Sequence, residues 1–335
     1  MSTILLNFFL VVVGFVLLIK GADFLVNGAS SLAKRFNVSD IAIGLTVVAM
    51  GTSAPELVVN IISGSREVEG GVGNELVFGN IIGSNIFNIF LILGISSIIY
   101  PLTVERNALW KEVPYSLLAT FVFFVLVNDA MFFNTDQNGL DIKDGLILLV
   151  MFALFIIYIF MNIRRNPEAE VDDVELHSNL KTTLMIAFGI AGLVFGGEMI
   201  VSNATEIAES FGVSDKMIGL TILAAGTSLP ELATSAVAAF HKKSDLAVGN
   251  IVGSNIFNLL LVLGATSLVH APLIYNPSLN TDLYIVMVGT FMLFLFMFTL
   301  NKFKLDRAEG VVYLIGFFAY SYYLFVRENI LPGFF

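Results

Sequence analysis

Cysteine is absent from this chain of 335 residues, and charged side chains make up only 13% of it. The lack of cysteine excludes disulfides and thiolate metal sites. The low charge separates the chain from soluble domains, in which about 25% of the residues are charged. Three histidines without an HExxH pattern argue against a zinc enzyme. The net charge of -10 excludes a polybasic surface for nucleic acid, and the sequence contains no nucleotide-binding motif.

Apolar residues are abundant: 57% of the chain is hydrophobic, and the mean hydropathy is +0.87. A membrane-spanning helix needs about 20 mostly apolar residues. The first apolar run, residues 4–19, lacks a positively charged start and a cleavage site, so we interpret it as a retained span. The sequence predicts an all-α integral membrane protein with ten transmembrane helices, at 4–27, 40–63, 72–99, 112–130, 142–163, 180–204, 215–239, 246–269, 281–301 and 309–328.

The chain contains an internal duplication. Residues 39–57 and 214–232 are identical at 13 of 19 positions, and residues 79–94 and 249–264 at 12 of 16. The identities fall on Gly, Thr, Ser, Pro, Glu and Asn, which two unrelated apolar helices would not share. Five spans in each half would make the second half enter the membrane from the opposite side, as an inverted repeat.

The duplication defines the predicted domain organisation. Residues 1–165 are the first five-helix repeat, with motifs at 49–57 and 79–94. Residues 166–178 are an acidic cytoplasmic linker. Residues 179–335 are the second, inverted five-helix repeat, with motifs at 224–232 and 249–264.

Lysine and arginine are distributed unevenly over the predicted loops. Twelve of these side chains fall on the side of loops 1–2, 3–4, 5–6, 7–8 and 9–10, and four fall on the side that holds both termini. Cytoplasmic loops carry the excess of positive charge. The sequence therefore predicts a multi-pass protein of the cell (plasma or inner) membrane with both termini extracytoplasmic.

The segment Gly51–Leu57, GTSAPEL, carries a carboxylate inside an apolar run. A charge at membrane depth costs a few kcal/mol, so Glu56 is a functional-site candidate. Pro55 has no backbone N–H, which frees the carbonyl four residues before it. Thr52 and Ser53 add two hydroxyls one turn before the carboxylate. Hard cations prefer such oxygens.

The second copy of this segment, Gly226–Leu232, carries Glu231. Two ionised glutamates supply two negative charges, which one divalent cation balances. Calcium, with six to eight oxygens in flexible geometry, suits such a cage better than magnesium, and sodium also accepts carbonyl and hydroxyl oxygens. The alternative is a pair of protonated, hydrogen-bonded acids that hold the bundle together.

A second duplicated motif places polar side chains along one face of an apolar helix. We interpret its glycines as packing positions. Its other residues either bind a cation or form hydrogen bonds between helices, which contribute about 0.6 kcal/mol each. Asn85 and Asn255, which flank the stripes, either bind an ion or brace the helix breaks. The two stripes are Asn80, Ser84 and Asn88, and Asn250, Ser254 and Asn258.

The paired GTSxPEL and GNxxGSNxFN segments resemble the two α-repeats of the sodium/calcium exchanger family, within the Ca²⁺/cation antiporter superfamily. The resemblance covers the whole ten-span plan. It implies a secondary antiporter that is not an enzyme. Such a protein exchanges one Ca²⁺ for Na⁺, usually three ions, by alternating access at a site at the membrane midplane. The implied partners are these two ions and the lipid bilayer, without cofactor, nucleotide or nucleic acid.

The resemblance also implies roles for single residues. The calcium ligands would be Glu56, Glu231, Thr52 and Thr227. The sodium ligands would be Ala49, Ser53, Glu56, Ser84, Ala224, Ser228, Glu231 and Ser254. The central polar positions would be Asn88 and Asn258.

Asn258 departs from some family members, potassium-dependent ones included, which carry Asp at this position. The departure makes potassium co-transport less expected and leaves two charges in the site, so that exchange of three Na⁺ for one Ca²⁺ would move net charge. Three alternatives remain at this point: proton-coupled calcium exchange by the same acids, a cation channel, and a structural or receptor membrane protein. The first and sixth spans, which match weakly, are expected to slide or tilt across a core formed by spans 2, 3, 7 and 8.

Overall fold

The computed structural model describes residues 2–64, 72–104, 106–133, 137–165, 175–213, 222 and 224–327. The helices of the first half are α1 (Ser2–Phe36), α2 (Asp40–Ile43, then a π-helical segment Gly44–Val48, then Ala49–Thr52), α3 (Ala54–Gly64), α4 (Val72–Ile86, then a π-helical segment Phe87–Ile92, then Leu93–Ile99), α5 (Arg106–Val127), α6 (Asp129–Phe132) and α7 (Ile142–Arg165). Those of the second half are α8 (Asn179–Ser210), α9 (Ala224–Gly226), α10 (Leu229–Phe240), α11 (Ser244–Ile256, then a π-helical segment Phe257–Val262, then Leu263–His270), α12 (Asn280–Phe296) and α13 (Arg307–Arg327). A 3-10 helix, Pro277–Leu279, precedes α12.

Most of the expected spans are present as helices, and the mostly helical membrane architecture is confirmed. Eight helices among the described residues are long and apolar enough to cross a membrane, and α2 with α3, bent by 43°, would form a ninth. The predicted span 215–239 begins within 214–221, outside the described residues, and continues as α10. Most of the predicted linker, 166–174, also lies outside them.

The two long helices α1 and α8 end in the same way. Asn37 after α1 and Gly212 after α8 have positive φ angles of 52° and 77°. Each is followed by a valine whose N–H returns to the helix, from Val38 to the carbonyl of Ala33 at 3.0 Å and from Val213 to that of Ala208 at 3.1 Å. This left-handed cap satisfies carbonyls that the helix end leaves open.

Glycines bring α1 and α8 into backbone contact. A Cβ atom added to Gly21 would lie 2.7 Å from the backbone nitrogen of Leu193, and one added to Gly189 would lie 2.7 Å from that of Leu25. Small residues allow membrane helices to approach in this way. The two helices therefore pack as a close pair.

The central helices are α4 and α11. In their apolar segments 78% and 94% of the residues are buried, against 22% in α1 and 28% in α8. Gly249 of α11 lies against α2, where an added Cβ atom would meet the carbonyl oxygen of Ile41 at 2.7 Å, as expected of a packing glycine. Added Cβ atoms on Gly79 and Gly83 of α4 would meet no described atom within 4 Å, so the packing role expected for these two is not seen among the described residues.

Two short strand pairs connect loops of the two halves. Strand β1 (Leu102–Thr103) pairs antiparallel with β4 (Lys304–Leu305), and β2 (Gly139–Leu140) pairs antiparallel with β3 (Leu273–Ile274). Strands of two residues have no periodicity that a sequence could show. Each pair links one loop of the first half to one loop of the second half by backbone hydrogen bonds.

Candidate cation-binding site

Both GTSxPEL segments interrupt a helix at the serine. Ser53 lies between α2 and α3 with φ −84° and ψ 4°, and Ser228 precedes α10 with φ −89° and ψ 2°. The proline that follows falls in the first turn of the next helix, where its missing N–H leaves no gap in the hydrogen-bond ladder. Glu56 and Glu231 therefore lie in the first turn of α3 and α10. The helix dipole favours a negative charge there.

Glu231 is fully buried and is contacted from two directions. Its Oε1 accepts hydrogen bonds from the hydroxyl of Ser53 at 3.0 Å and from that of Ser254 at 3.3 Å. Its Oε2 has no hydrogen-bond partner among the described residues. One acid of the pair is thus oriented by hydroxyls and still has an oxygen available.

Glu56 is also fully buried, and the Thr227 side chain interacts with its carboxylate, but neither carboxylate oxygen makes a hydrogen bond of normal geometry in the described part of the chain. Ser228 and Ser84, which match Ser53 and Ser254 in the repeat, are hydrogen-bonded to each other at 3.1 Å. Burying an unpaired carboxylate is unfavourable by several kcal/mol. If both glutamates are ionised, their like charges also repel each other. A cation between them would relieve both penalties.

The threonines tie each helix break to the polar stripe of the opposite half. Thr52 Oγ1 donates to Asn250 Oδ1 at 3.1 Å and lies 3.4 Å from Ser254 Oγ. Thr227 Oγ1 donates to Asn80 Oδ1 at 3.3 Å. A hydroxyl that donates its hydrogen keeps its lone pairs, so these oxygens can still coordinate an ion.

The two alanines predicted as carbonyl ligands differ in their surroundings. The carbonyl of Ala49 accepts the N–H of Ser53 at 2.9 Å, and the hydroxyl oxygen of Thr52, whose hydrogen is donated to Asn250, lies 3.3 Å from it. In the second half the N–H of Ser228 donates to Ala225 at 3.2 Å instead. Ala224 is the first residue of α9. The turn at the break is therefore not the same in the two halves.

Asn88 and Asn258 each occupy the second position of a π-helical segment, in α4 and α11. Both are buried, and the amide oxygen of each has no hydrogen-bond partner among the residues described. Segments of π-helix are frequent at functional sites. The predicted polar stripes end at these two residues, and the wider π turns continue beyond them to Ile92 and Val262.

Two further polar residues accept hydrogen bonds from asparagines of the two polar stripes. Asn60 Oδ1 accepts from Asn80 Nδ2 at 2.7 Å, and Ser235 Oγ accepts from Asn250 Nδ2 at 2.9 Å. Neither residue was predicted to belong to the site. The signal was present, because Asn60 and Ser235 each follow a site glutamate by four residues and so share its helix face.

Residues 6–161 and 181–326 match the family model described as sodium/calcium exchanger protein. These two segments contain both duplicated motifs and most of the chain. The chain belongs to the sodium/calcium exchanger family. The resemblance stated from the motifs is thereby confirmed.

Two relatives of this exchanger-family chain match it over most of their length. A putative antiporter of Alkalimonas amylolytica, CaxA, is 36% identical over 304 residues, covering 88% of this chain and 91% of the relative. The inner membrane protein YrbG of Escherichia coli is 34% identical over 332 residues, covering 96% and 98%. A solved structure of the sodium-calcium exchanger NCX_Mj matches with a TM-score of 0.79 at 30% identity, covering 96% of this chain and 99% of that one.

Proposed function

We propose that this protein is a secondary antiporter that exchanges Ca²⁺ for Na⁺ by alternating access at one site between its two halves. The observation that carries the proposal is a set of five buried oxygens without a hydrogen-bond partner among the described residues. These are both carboxylate oxygens of Glu56, one of Glu231, and the amide oxygens of Asn88 and Asn258. Unpaired buried acceptors of this kind are the donor set that a hard cation needs.

The proposed calcium ligands are Glu56, Glu231, Thr52 and Thr227. The proposed sodium ligands include the same acids with the serines at and behind the helix breaks and the carbonyls of the two alanines. The contacts that cross between the halves support a shared cage, because Ser53 and Thr52 reach residues of α10 and α11. The sodium set is Ala49, Ser53, Glu56, Ser84, Ala224, Ser228, Glu231 and Ser254.

Two glutamates provide a charge of −2 for the ions to balance. Exchange of three Na⁺ for one Ca²⁺ would then move one net charge in each cycle. Asn88 and Asn258 contribute oxygen without charge. With no third acid in this set, potassium as an additional substrate is disfavoured.

The chain is proposed to form ten spans in two inverted five-helix halves. Paired contacts support the symmetry: the bond from Thr52 to Asn250 is matched by that from Thr227 to Asn80. The bias of lysine and arginine supports an inner-membrane protein with both termini extracytoplasmic. Arg66 and Lys216, which belong to the smaller group in that comparison, lie outside the described residues.

The pair α1–α8 is proposed to move across the central helices and open the site to one side at a time. Its backbone-to-backbone packing at Gly21 and Gly189 supports motion of the two helices as one unit. The strand pairs β1–β4 and β2–β3 would keep the loops of the remaining helices fixed during this motion.

Transport in proteoliposomes tests the proposal. Vesicles loaded with Na⁺ should accumulate radiolabelled Ca²⁺ when diluted into sodium-free buffer, and the uptake should stop when the sodium gradient is abolished. Uptake that follows a pH gradient and is indifferent to Na⁺ would establish proton-coupled exchange instead. Uptake that needs no counter-ion gradient would establish a channel.

A further inference from the structure

Four buried asparagines form two cross-braces between α4 and α11. Asn88 Nδ2 donates to Asn255 Oδ1 at 2.9 Å, and Asn258 Nδ2 donates to Asn85 Oδ1 at 3.1 Å. All four side chains are at most 1% exposed. Each central asparagine is therefore held by an asparagine of the opposite half.

The orientation of these amides matters for a cation. An asparagine side chain has an acceptor oxygen at one end and a donor NH₂ group at the other. The oxygen attracts a cation, and the NH₂ group repels it. Asn88 and Asn258 both turn their nitrogen to the brace, and their oxygens remain without a hydrogen-bond partner among the described residues.

The direction of one brace is set by the backbone. Asn85 Nδ2 donates to the main-chain carbonyl of Asn255 at 3.4 Å. A carbonyl only accepts, so the NH₂ group of Asn85 has to face it and the oxygen of Asn85 has to face Asn258. Only the NH₂ group of Asn258 can donate a hydrogen bond to that oxygen, so the amide oxygen of Asn258 points away from Asn85.

The other brace has no such anchor. The NH₂ group of Asn255 has no acceptor among the described residues. The pair Asn88–Asn255 can therefore reverse both amides and keep its hydrogen bond, whereas the pair Asn85–Asn258 cannot. The backbone anchor thus distinguishes Asn85 from its counterpart in the repeat.

We propose that Asn85 is a positioning residue that directs the amide oxygen of Asn258 toward the bound cation. The proposal rests on the proposed function, because it takes Asn258 as part of the cation site. A carboxylate at position 258 would present an oxygen in either orientation, but an amide does so in only one. The two hydrogen bonds of Asn85 thus orient the neutral side chain of Asn258 so that it can act as an oxygen ligand.

Calcium binding to the purified protein, measured by titration in two backgrounds, tests this role. Removing a residue that orients a metal ligand lowers metal affinity by about 10–100-fold. Asn85→Ala should therefore weaken calcium binding by about tenfold or more when residue 258 is unchanged. In the N258D background the same substitution should have a much smaller effect, since orientation no longer matters. An equal loss in both backgrounds, or no loss in the unchanged background, would overturn the role.

Three further variants complete the design. Asn128→Ala removes a buried, hydrogen-bonded asparagine at the end of α5, outside the proposed site, and should leave calcium affinity unchanged. Asn85→Leu keeps the branched side-chain shape without a polar atom and replaces Asn85→Ala if that variant does not fold. N258D should still bind calcium, because its carboxylate presents one oxygen to the ion although the other faces the oxygen of Asn85. Loss of calcium binding both in N258D and in N258D combined with Asn85→Ala, which removes that repulsion, would overturn the role of residue 258.

Glu56→Gln separates this proposal from the proposed function. If Glu56→Gln abolishes calcium binding while the losses from Asn85→Ala are equal in both backgrounds, the positioning role fails and the site stands. If Glu56→Gln binds calcium normally, the site itself is wrong.

Discussion

Ser53 joins the helix break of the first half to the acid of the second half, through a hydrogen bond of 3.0 Å from its hydroxyl to Glu231 Oε1. The matching hydroxyl, that of Ser228, is hydrogen-bonded to Ser84. Glu231 is therefore oriented by protein hydroxyls, whereas no hydroxyl of the described residues holds the oxygens of Glu56 in the same way. The site is built from two similar halves but is not symmetric in its hydrogen bonds.

Neutralising either acid should abolish calcium transport. Glu56→Gln and Glu231→Gln each remove one of the two charges proposed to balance Ca²⁺ and place an NH₂ donor in the proposed site. Sodium-driven calcium uptake into proteoliposomes should fall to the level of vesicles without protein. Glu112→Gln is the matched control, because Glu112 is a buried carboxylate that bonds to Tyr158 at 2.8 Å, outside the proposed site. Normal uptake by either site variant would refute its assignment.

Removal of the Ser53 hydroxyl should weaken calcium binding without abolishing it. A hydrogen bond to a charged group contributes about 1.5–3 kcal/mol, so Ser53→Ala should raise the calcium concentration for half-maximal uptake by about tenfold or more. Ser254 still holds Glu231 Oε1 in this variant. Ser321→Ala, which removes a hydroxyl bonded to the carbonyl of Phe317 on α13, should have no such effect. An unchanged calcium dependence in Ser53→Ala would show that the bond to Glu231 does not orient a ligand.

The sequence predicted the duplicated motifs, the breaks at the prolines and the family, because all of these depend on residue types at fixed spacing. It could not predict that Ser53 contacts Glu231 while Ser228 contacts Ser84, since the packing of the two halves decides which hydroxyl reaches which acid. The π-helical turns at Asn88 and Asn258 were missed for a similar reason. Their extra residue is accommodated by tertiary packing and has no sequence signature.

The short strand pairs could not be predicted from the sequence either. Leu102–Thr103 and Lys304–Leu305 pair across about two hundred residues, and a strand of two residues shows no alternation. Of the four glycines predicted to pack, Gly249 and Gly253 lie against α2, whereas no such contact is seen for Gly79 and Gly83 among the described residues. The missed supports Asn60 and Ser235 could have been found by extending the motif by one helical turn.

Exchange should respond to membrane potential. If one net charge moves in each cycle, a potential of about 100 mV changes the free energy of exchange by about 2.3 kcal/mol. Potassium diffusion potentials of opposite sign, set with valinomycin in proteoliposomes, should accelerate and slow sodium-driven calcium uptake. Equal rates at both potentials would indicate electroneutral exchange and a different ion ratio.

A larger side chain at the α1–α8 contact should destabilise the protein. A Cβ atom on Gly189 would lie 2.7 Å from the backbone of Leu25, and overpacking of this kind costs about 1–3 kcal/mol. Gly189→Val should therefore lower the Tm of the purified protein. Phe195→Leu on the same helix, at a side chain that is 65% exposed, should leave the Tm nearly unchanged. An unaltered Tm in Gly189→Val would contradict the close packing.

The proposed motion of α1 with α8 can be tested by cross-linking, because the chain has no cysteine of its own. Asp23 of α1 contacts His241, which follows α10, at 2.7 Å between Oδ1 and Nε2. A short thiol-reactive cross-linker between D23C and H241C should stop exchange, since it fixes α1 to a stationary element.

The matched pair joins the two moving helices to each other. Asn7 of α1 donates to Glu206 of α8 at 2.8 Å. Cross-linking of N7C to E206C should leave exchange largely intact, because these helices are expected to move together. Full activity after cross-linking of D23C to H241C would rule out the proposed motion.

The central claim is that calcium and sodium use one site that contains Glu56 and Glu231. The most direct measurement is calcium binding to the purified protein at increasing sodium concentrations. The apparent Kd for calcium should rise steadily with sodium while the number of calcium sites stays constant, and Glu56→Gln should bind neither ion. A calcium Kd that does not change at saturating sodium would contradict a shared site.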